Sequence, residues 1–157
     1  MRDRDFDFYP KINRGEFADR KKSKYSVEDD DDLRDAFDEI FKILESENDD
    51  DLFGIFHCFT GTEEQANKAI SFNMKLGIGG VVTFKNGKID TFLNKIDIKN
   101  IVLETDSPYL SPVPYRGKRN ESSYLPLVCK KLAEIYQLSE EEISLITTQN
   151  SKDVFGI

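Results

Sequence analysis

Two residues, His57 and Asp106, have the types and settings that could organise chemistry in this chain. His57 is the sole histidine among 157 residues. It ends the apolar run in GIFHCFTGT (54–62), and Asp106 ends the run in IVLETDSPYL (101–110). An imidazole and a carboxylate are residue types that hold a divalent cation or activate water. Glu104 stands two positions before Asp106, so on an extended chain both carboxylates project to one side. The competing reading of His57 is a structural residue at a strand end. The competing reading of Asp106 is a turn residue accepting backbone hydrogen bonds. A lone histidine supplies only part of a metal site.

The loop 112–121, PVPYRGKRNE, is the third chemical feature. Arg116, Lys118 and Arg119 stand beside Tyr115 and directly follow the Asp106 segment. Guanidinium and ammonium groups in an irregular Pro/Gly loop suit phosphate contacts, and Tyr109 and Tyr115 are candidates for stacking on bases. Gly77, Gly79 and Gly80 form GxGG, which lacks the full dinucleotide-binding fingerprint. These glycines are read as permitting close backbone packing or opening room for substrate.

The elements that must position these residues follow from periodicity. Ala36, Phe37, Ile40, Phe41, Ile43 and Leu44 recur at helical spacing and predict a helix over 34–47, with Asp31 or Asp32 as its cap. Residues 52–58, 75–84 and 100–105 read as strands, the second with a glycine kink. Helices are expected over 62–72, capped by Thr60 or Thr62, and over 87–96, with Ile89, Phe92, Leu93 and Ile96 inward. Two more are expected over 121–137 and 139–153, where Ser139 and Glu142 match the capping box. Strands alternating with helices predict an α/β protein with parallel pairing and right-handed crossovers. A strand that delivers a ligand-type residue at its C-terminal end is how β/α barrels build active sites, yet three strands cannot close a barrel.

Composition narrows the setting. The net charge is −8, but 13 acidic residues crowd 28–51 against only Arg34 and Lys42, so the remainder carries a small positive balance. Overall acidity therefore does not exclude an anionic partner. The acidic run 29–32 lacks the spaced oxygens and glycine of a calcium loop. Residues 1–33 show no clear period and are read as an irregular or disordered segment preceding a domain at 34–157. Cys58 and Cys129 have no CxxC spacing and read as reduced thiols. No apolar run approaches a membrane span and no signal-peptide pattern is present, so no membrane partner and a cytoplasmic location are expected.

RDAFDEIFKIL (34–44), GIFHCFTGT, LGIGGVVTFKN (76–86), IVLETDSPYL, SPVPYRGKRNE (111–121) and TTQNSKDVF (147–155) together resemble the TatD-type metal-dependent deoxyribonucleases, over roughly 34–157. The resemblance implies the last part of a TIM (β/α)8 barrel: its last three parallel strands with flanking helices. It implies metal-dependent cleavage of DNA phosphodiester bonds, as a 3′–5′ exonuclease on single strands. His57 and Asp106 become metal ligands, and Asp106 also orients or deprotonates the attacking water. Arg116, Lys118, Arg119, Tyr109 and Tyr115 become substrate contacts. The cofactor is a divalent metal, Mg²⁺ first, with Mn²⁺ or Zn²⁺ as alternatives.

The family's His-x-His pair, its fourth-strand Glu and its fifth-strand His have no counterpart here; Asp32 stands where the last would fall. The chain thus reads as a truncated product, a frame-disrupted product or one piece of a split enzyme, weakly active alone. A missing N-terminal half, or self-association through an open sheet edge, is then the expected protein partner. The alternative reading is a non-catalytic nucleic-acid-binding or assembly remnant.

Overall fold

The computed structural model describes residues 30–47 and 51–157. The expectations for the N-terminal segment, apart from its last four residues, lie outside the described residues. Helix α1 spans Asp30–Glu47, so it starts ahead of Arg34, and Asp31 and Asp32 lie in its first turn. Phe41 is the buried anchor of this helix. Its ring packs at 5.7 Å from Phe56 and 6.2 Å from Phe72, and Phe37 lies 5.6 Å from Phe59. Ile40 and Ile43 remain exposed, so α1 buries a narrower stripe than its spacing suggests.

Strand β1 (Gly54–Phe56) leads into α2 (Glu63–Ser71), which returns the chain to β2 (Met74–Ile78). The cap of α2 is Thr62. Its hydroxyl accepts from Gln65 N at 3.2 Å while Gln65 Oε1 accepts from Thr62 N at 2.9 Å. This reciprocal pair satisfies two donors that a helix start leaves unpaired. Ala66 and Ala69 give α2 a small-residue face that is fully buried.

Strand β3 (Ile101–Leu103) completes a parallel sheet in the order β1-β2-β3, with Phe56 opposite Leu76 and Gly77 opposite Val102. The three parallel strands expected are present, each shorter than its predicted span. β2 lies in the middle, and its Met74, Leu76, Gly77 and Ile78 are all buried, as a strand covered on both faces requires.

Two expected elements differ. The strand over 75–84 ends at Ile78, and Gly80–Thr83 form a 3-10 turn. The reason is a close approach: a Cβ on Gly80 would sit 2.1 Å from the carbonyl oxygen of Leu110. The chain leaves the sheet there so that the Asp106 loop can pass over it. Thr83 pins the turn, donating to Gly80 O at 2.7 Å and accepting from Val113 N at 2.9 Å.

The helix over 87–96 is instead two 3-10 turns, Ile89–Thr91 and Leu93–Lys95. Ile89, Phe92, Leu93 and Ile96 are nevertheless buried as expected. Residues spaced by three serve a 3-10 turn as well as an α-helix, so periodicity does not separate the two.

Helices α3 (Leu125–Tyr136) and α4 (Glu140–Phe155) pack against each other and against β3. The predicted start of α3 at 121 is a 3-10 turn, Ser122–Tyr124. α4 opens on the expected Ser139–Glu142 capping box. It is fastened to the start of β3 by buried Asn150, whose Nδ2 donates to Ile98 O at 2.8 Å and Ile101 O at 2.7 Å.

Candidate metal centre

The C-terminal ends of the strands converge. His57 follows β1 by one residue and Asp106 follows β3 by three, while β2 separates those strands. His57 Nε2 lies 2.8 Å from Asp106 Oδ1, and His57 Nδ1 lies 2.8 Å from Glu104 Oε2. The imidazole is thus gripped between two carboxylates. Its ring is 69% exposed, whereas the Glu104 and Asp106 side chains are only 14% and 11% exposed.

Electrostatics follows from that arrangement. The Glu104 charge beside His57 raises the imidazole above its ordinary value, with Asp106 adding to the effect and slight burial opposing it. Burial raises Glu104, against the opposing pull of its bonds to Cys58 N and His57. Burial likewise pushes the Cys58 thiol up to about 12, assisted by the neighbouring Asp106 and Glu104.

The backbone is bent to make this site. Cys58, Asp106 and Leu110 all have positive φ, at 48°, 56° and 53°. Non-glycine residues enter this region at a cost and concentrate at functional sites. The loop after Asp106 has cis peptide bonds at Ser107–Pro108 and Val113–Pro114. Asn120 holds it closed. This residue is buried, and its Nδ2 donates to Tyr109 O at 2.7 Å and to Thr105 O. Its own N–H donates to Pro108 O at 3.0 Å. One side chain therefore ties both flanks of Asp106 together. Reading the sequence for chemistry passes over Asn120; its place in the PYRGKRNE motif was the available signal.

An open cleft of about 660 Å³ lies over the site, lined by His57, Glu104, Asp106, Tyr109, Ser122 and Leu125 among others. Of the expected substrate contacts, Tyr109 reaches this cleft. Tyr115, Arg116, Lys118 and Arg119 lie outside its lining. Tyr115 stacks on Tyr124 with ring centroids 4.2 Å apart, and Lys118 Nζ lies 5.5 Å from the Tyr115 centroid. The Arg116 guanidinium covers the Phe84 ring at 3.7 Å. Arg116, Lys118 and Arg119 are all exposed.

The residues present suit a divalent cation. Among the described residues, His57, Glu104 and Asp106 offer ligand atoms lying within 4.8 Å of one another. Asp106 Oδ2 is buried and has no hydrogen-bond partner. A buried carboxylate oxygen without a donor needs compensation, and a cation supplies it. Imidazole nitrogen suits Zn²⁺ and carboxylate oxygen suits Mg²⁺ or Mn²⁺, so the mixed set does not single out one divalent metal.

A model of the TatD-related DNase family matches residues 33–156. The chain belongs to that family.

Among curated relatives, an uncharacterised metal-dependent hydrolase, YabD, of Bacillus subtilis is 43% identical over 125 residues, which is 79% of this chain and 49% of YabD. The hydrolase YcfH of Escherichia coli is 34% identical over 125 residues, covering 79% of this chain and 47% of YcfH. The chain thus spans about half the length of the curated relatives it matches. Among solved structures, the TatD homolog YJJV from Escherichia coli superposes with a TM-score of 0.72 at 24% identity, covering 78% of this chain and 47% of that one. A TatD-family hydrolase from Entamoeba histolytica gives 0.67 at 20% identity, covering 76% and 47%. These likenesses establish the fold shared with the family. Among the described residues, no helix is long and apolar enough to cross a membrane.

Proposed function

We propose that this chain carries the C-terminal part of a TatD-type metal-dependent hydrolase site that cleaves phosphodiester bonds in DNA, 3′ to 5′ on single strands. The observation that carries the reading is the unpartnered, buried Oδ2 of Asp106, set beside His57 at one end of the sheet. His57 Nε2 and Asp106 would hold the cation, Mg²⁺ first, with Mn²⁺ or Zn²⁺ able to replace it. The bound metal would polarise the phosphoryl oxygen and lower the pKa of the attacking water. Asp106 would orient that water and accept its proton. Tyr109, on the cleft wall, would pack against the nucleotide. Arg116, Lys118 and Arg119 would hold the strand further along through its phosphates, with Tyr115 beside them.

Two protein-supplied ligands hold Mg²⁺ loosely. The remaining ligands would come from a partner bearing the front half of the barrel, docked along the edges of β1 and β3, which pair with no further strand among the described residues. Self-association through the same edges is the competing arrangement. The reducing setting suggested by two free cysteines fits a cytoplasmic location.

The test is divalent-metal-dependent nuclease activity on single-stranded DNA, measured for the chain alone and with a separately produced front half carrying the His-x-His strand. Little activity alone, a rise on mixing, and loss in His57→Ala and Asp106→Asn are expected. Robust turnover by the lone chain, indifferent to both substitutions, would overturn the reading. Salt-sensitive DNA binding without cleavage in any combination would favour a non-catalytic nucleic-acid-binding module.

A further inference from the structure

We propose that Glu104 is a positioning residue that fixes the His57 ring, rather than a metal ligand, and that Gly77 is kept bare to seat the Glu104 carboxylate.

The two acidic residues of the site use their oxygens differently. Glu104 has both oxygens engaged. Oε1 accepts from the backbone N–H of Cys58 at 2.6 Å, and Oε2 meets His57 Nδ1 at 2.8 Å. Asp106 has one oxygen on His57 Nε2 and the other buried without a partner. A ligand needs an oxygen not already engaged, and Asp106 Oδ2 has no hydrogen-bond partner. Glu104 instead grips two consecutive residues at the exit of β1. Its bond to Cys58 N does not depend on the ring, so the carboxylate stays in place whatever the ring does. It can therefore hold a proton on Nδ1, so that a cation taking the place of the proton between Nε2 and Asp106 would meet a free Nε2 lone pair. A carboxylate behind a ligating histidine is a recurrent way to set tautomer and ring orientation.

The seat is specific. A Cβ on Gly77 would lie 2.1 Å from Glu104 Oε2 and 3.2 Å from Phe56 O. Any side chain there would push the carboxylate off the ring. Gly79 is a milder case beside the other acid, since its Cβ would lie 3.1 Å from Asp106 Oδ2, a tight contact rather than a clash. The GxG at the end of β2, Gly77 within the strand and Gly79 just past it, is thus the floor on which two carboxylates cross from beyond β3 toward the end of β1.

This inference deepens the metal-site reading, but its first test uses no metal. Because His57 is the sole histidine, the ring nitrogens of the full chain give one pair of ¹⁵N resonances. At alkaline pH, where the ring carries one proton, a free histidine prefers Nε2–H. The wild-type chain is expected to carry more Nδ1–H than Glu104→Ala. Gly77→Ala, with Glu104 intact, is expected to shift the ring the same way. The same tautomer balance in wild type and Glu104→Ala would overturn the proposal, and a wild-type ring in Gly77→Ala would overturn the seat. If Glu104→Ala fails to fold, Glu104→Gln takes its place. It retains one carbonyl acceptor and cannot satisfy both donors.

Zn²⁺ titration then separates anchor from ligand. Loss of an outer-shell partner weakens metal binding about 10–100-fold. Glu104→Gln is expected in that range, with Asp106→Asn weaker still; equal losses in the two would overturn the assignment. Should the wild-type chain bind no Zn²⁺, the metal reading fails, and the ring tautomer still decides the role of Glu104.

Discussion

Nε2 of His57 lies 2.8 Å from Oδ1 of Asp106, although the strands that carry them are not neighbours. β2 runs between. The contact closes because Gly77 in β2 and Gly79 just past its end leave bare backbone at that level for the side chains to cross. The site is therefore a property of three strands.

The pH dependence has a defined sign. The folded-state pKa of His57 is raised above 6.5, first by Glu104. The folded protein then binds this proton more tightly than the unfolded chain. The contribution is fully present below the unfolded value and is lost as pH rises through the folded one. Glu104, raised by burial, acts in the same direction from 4.5 upward. NMR titration of His57 should give a midpoint above 6.5, and Glu104→Gln should lower it. A midpoint at or below 6.5 in the wild type would contradict the geometry.

Asn120→Ala should open the Asp106 loop. It removes the donor from the Thr105 and Tyr109 carbonyls, both only part-buried, at roughly 0.5–1.5 kcal/mol for each hydrogen bond lost. Chemical denaturation would register the loss. Faster amide exchange at Asn120 and Tyr109, whose N–H groups bond within this loop, would localise it.

Gly80→Ala and Gly117→Ala should differ in kind. At Gly80 a methyl meets the backbone oxygen of Leu110 at 2.1 Å, so overpacking of about 1–3 kcal/mol is expected. Gly117 has open space around it and a φ of +79°, so only backbone strain of about 1–2 kcal/mol applies. Only the first should disturb the site, as read by the His57 ring resonances. Site perturbation by Gly117→Ala alone would refute this division.

Thiol reactivity offers an independent check. With Cys58 held near 12, its alkylation at mild alkaline pH should be far slower than that of an unfolded thiol. Cys129, raised by burial, should also be slow. Asp106→Asn should speed Cys58 alone. Equal rates in the folded and denatured wild type would show that the thiol does not occupy this environment.

Sequence alone determined the strand exits. Short apolar runs ending in His57 and Asp106, broken by Thr60-Gly61 and Pro108, reveal their geometry locally, because strand and turn chemistry are encoded within a few residues. The parallel order followed from short crossovers, and the capping box at Ser139 followed from a four-residue pattern, whereas the choice of Thr62 over Thr60 as the cap of α2, with Gln65 as its reciprocal partner, came from the structure. The tertiary structure decided everything that depends on a second segment. It ended β2 at Ile78 because Leu110 O passes above Gly80. It made 3-10 turns of residues whose spacing suits either helix. It gave Asn120 the task of closing a loop whose carbonyls belong to Thr105 and Tyr109. It set Glu104 behind His57 where same-side projection alone had suggested a second ligand. Each of these rests on a hydrogen bond or contact between residues distant in the chain, and such partners are chosen by packing, which no local pattern records.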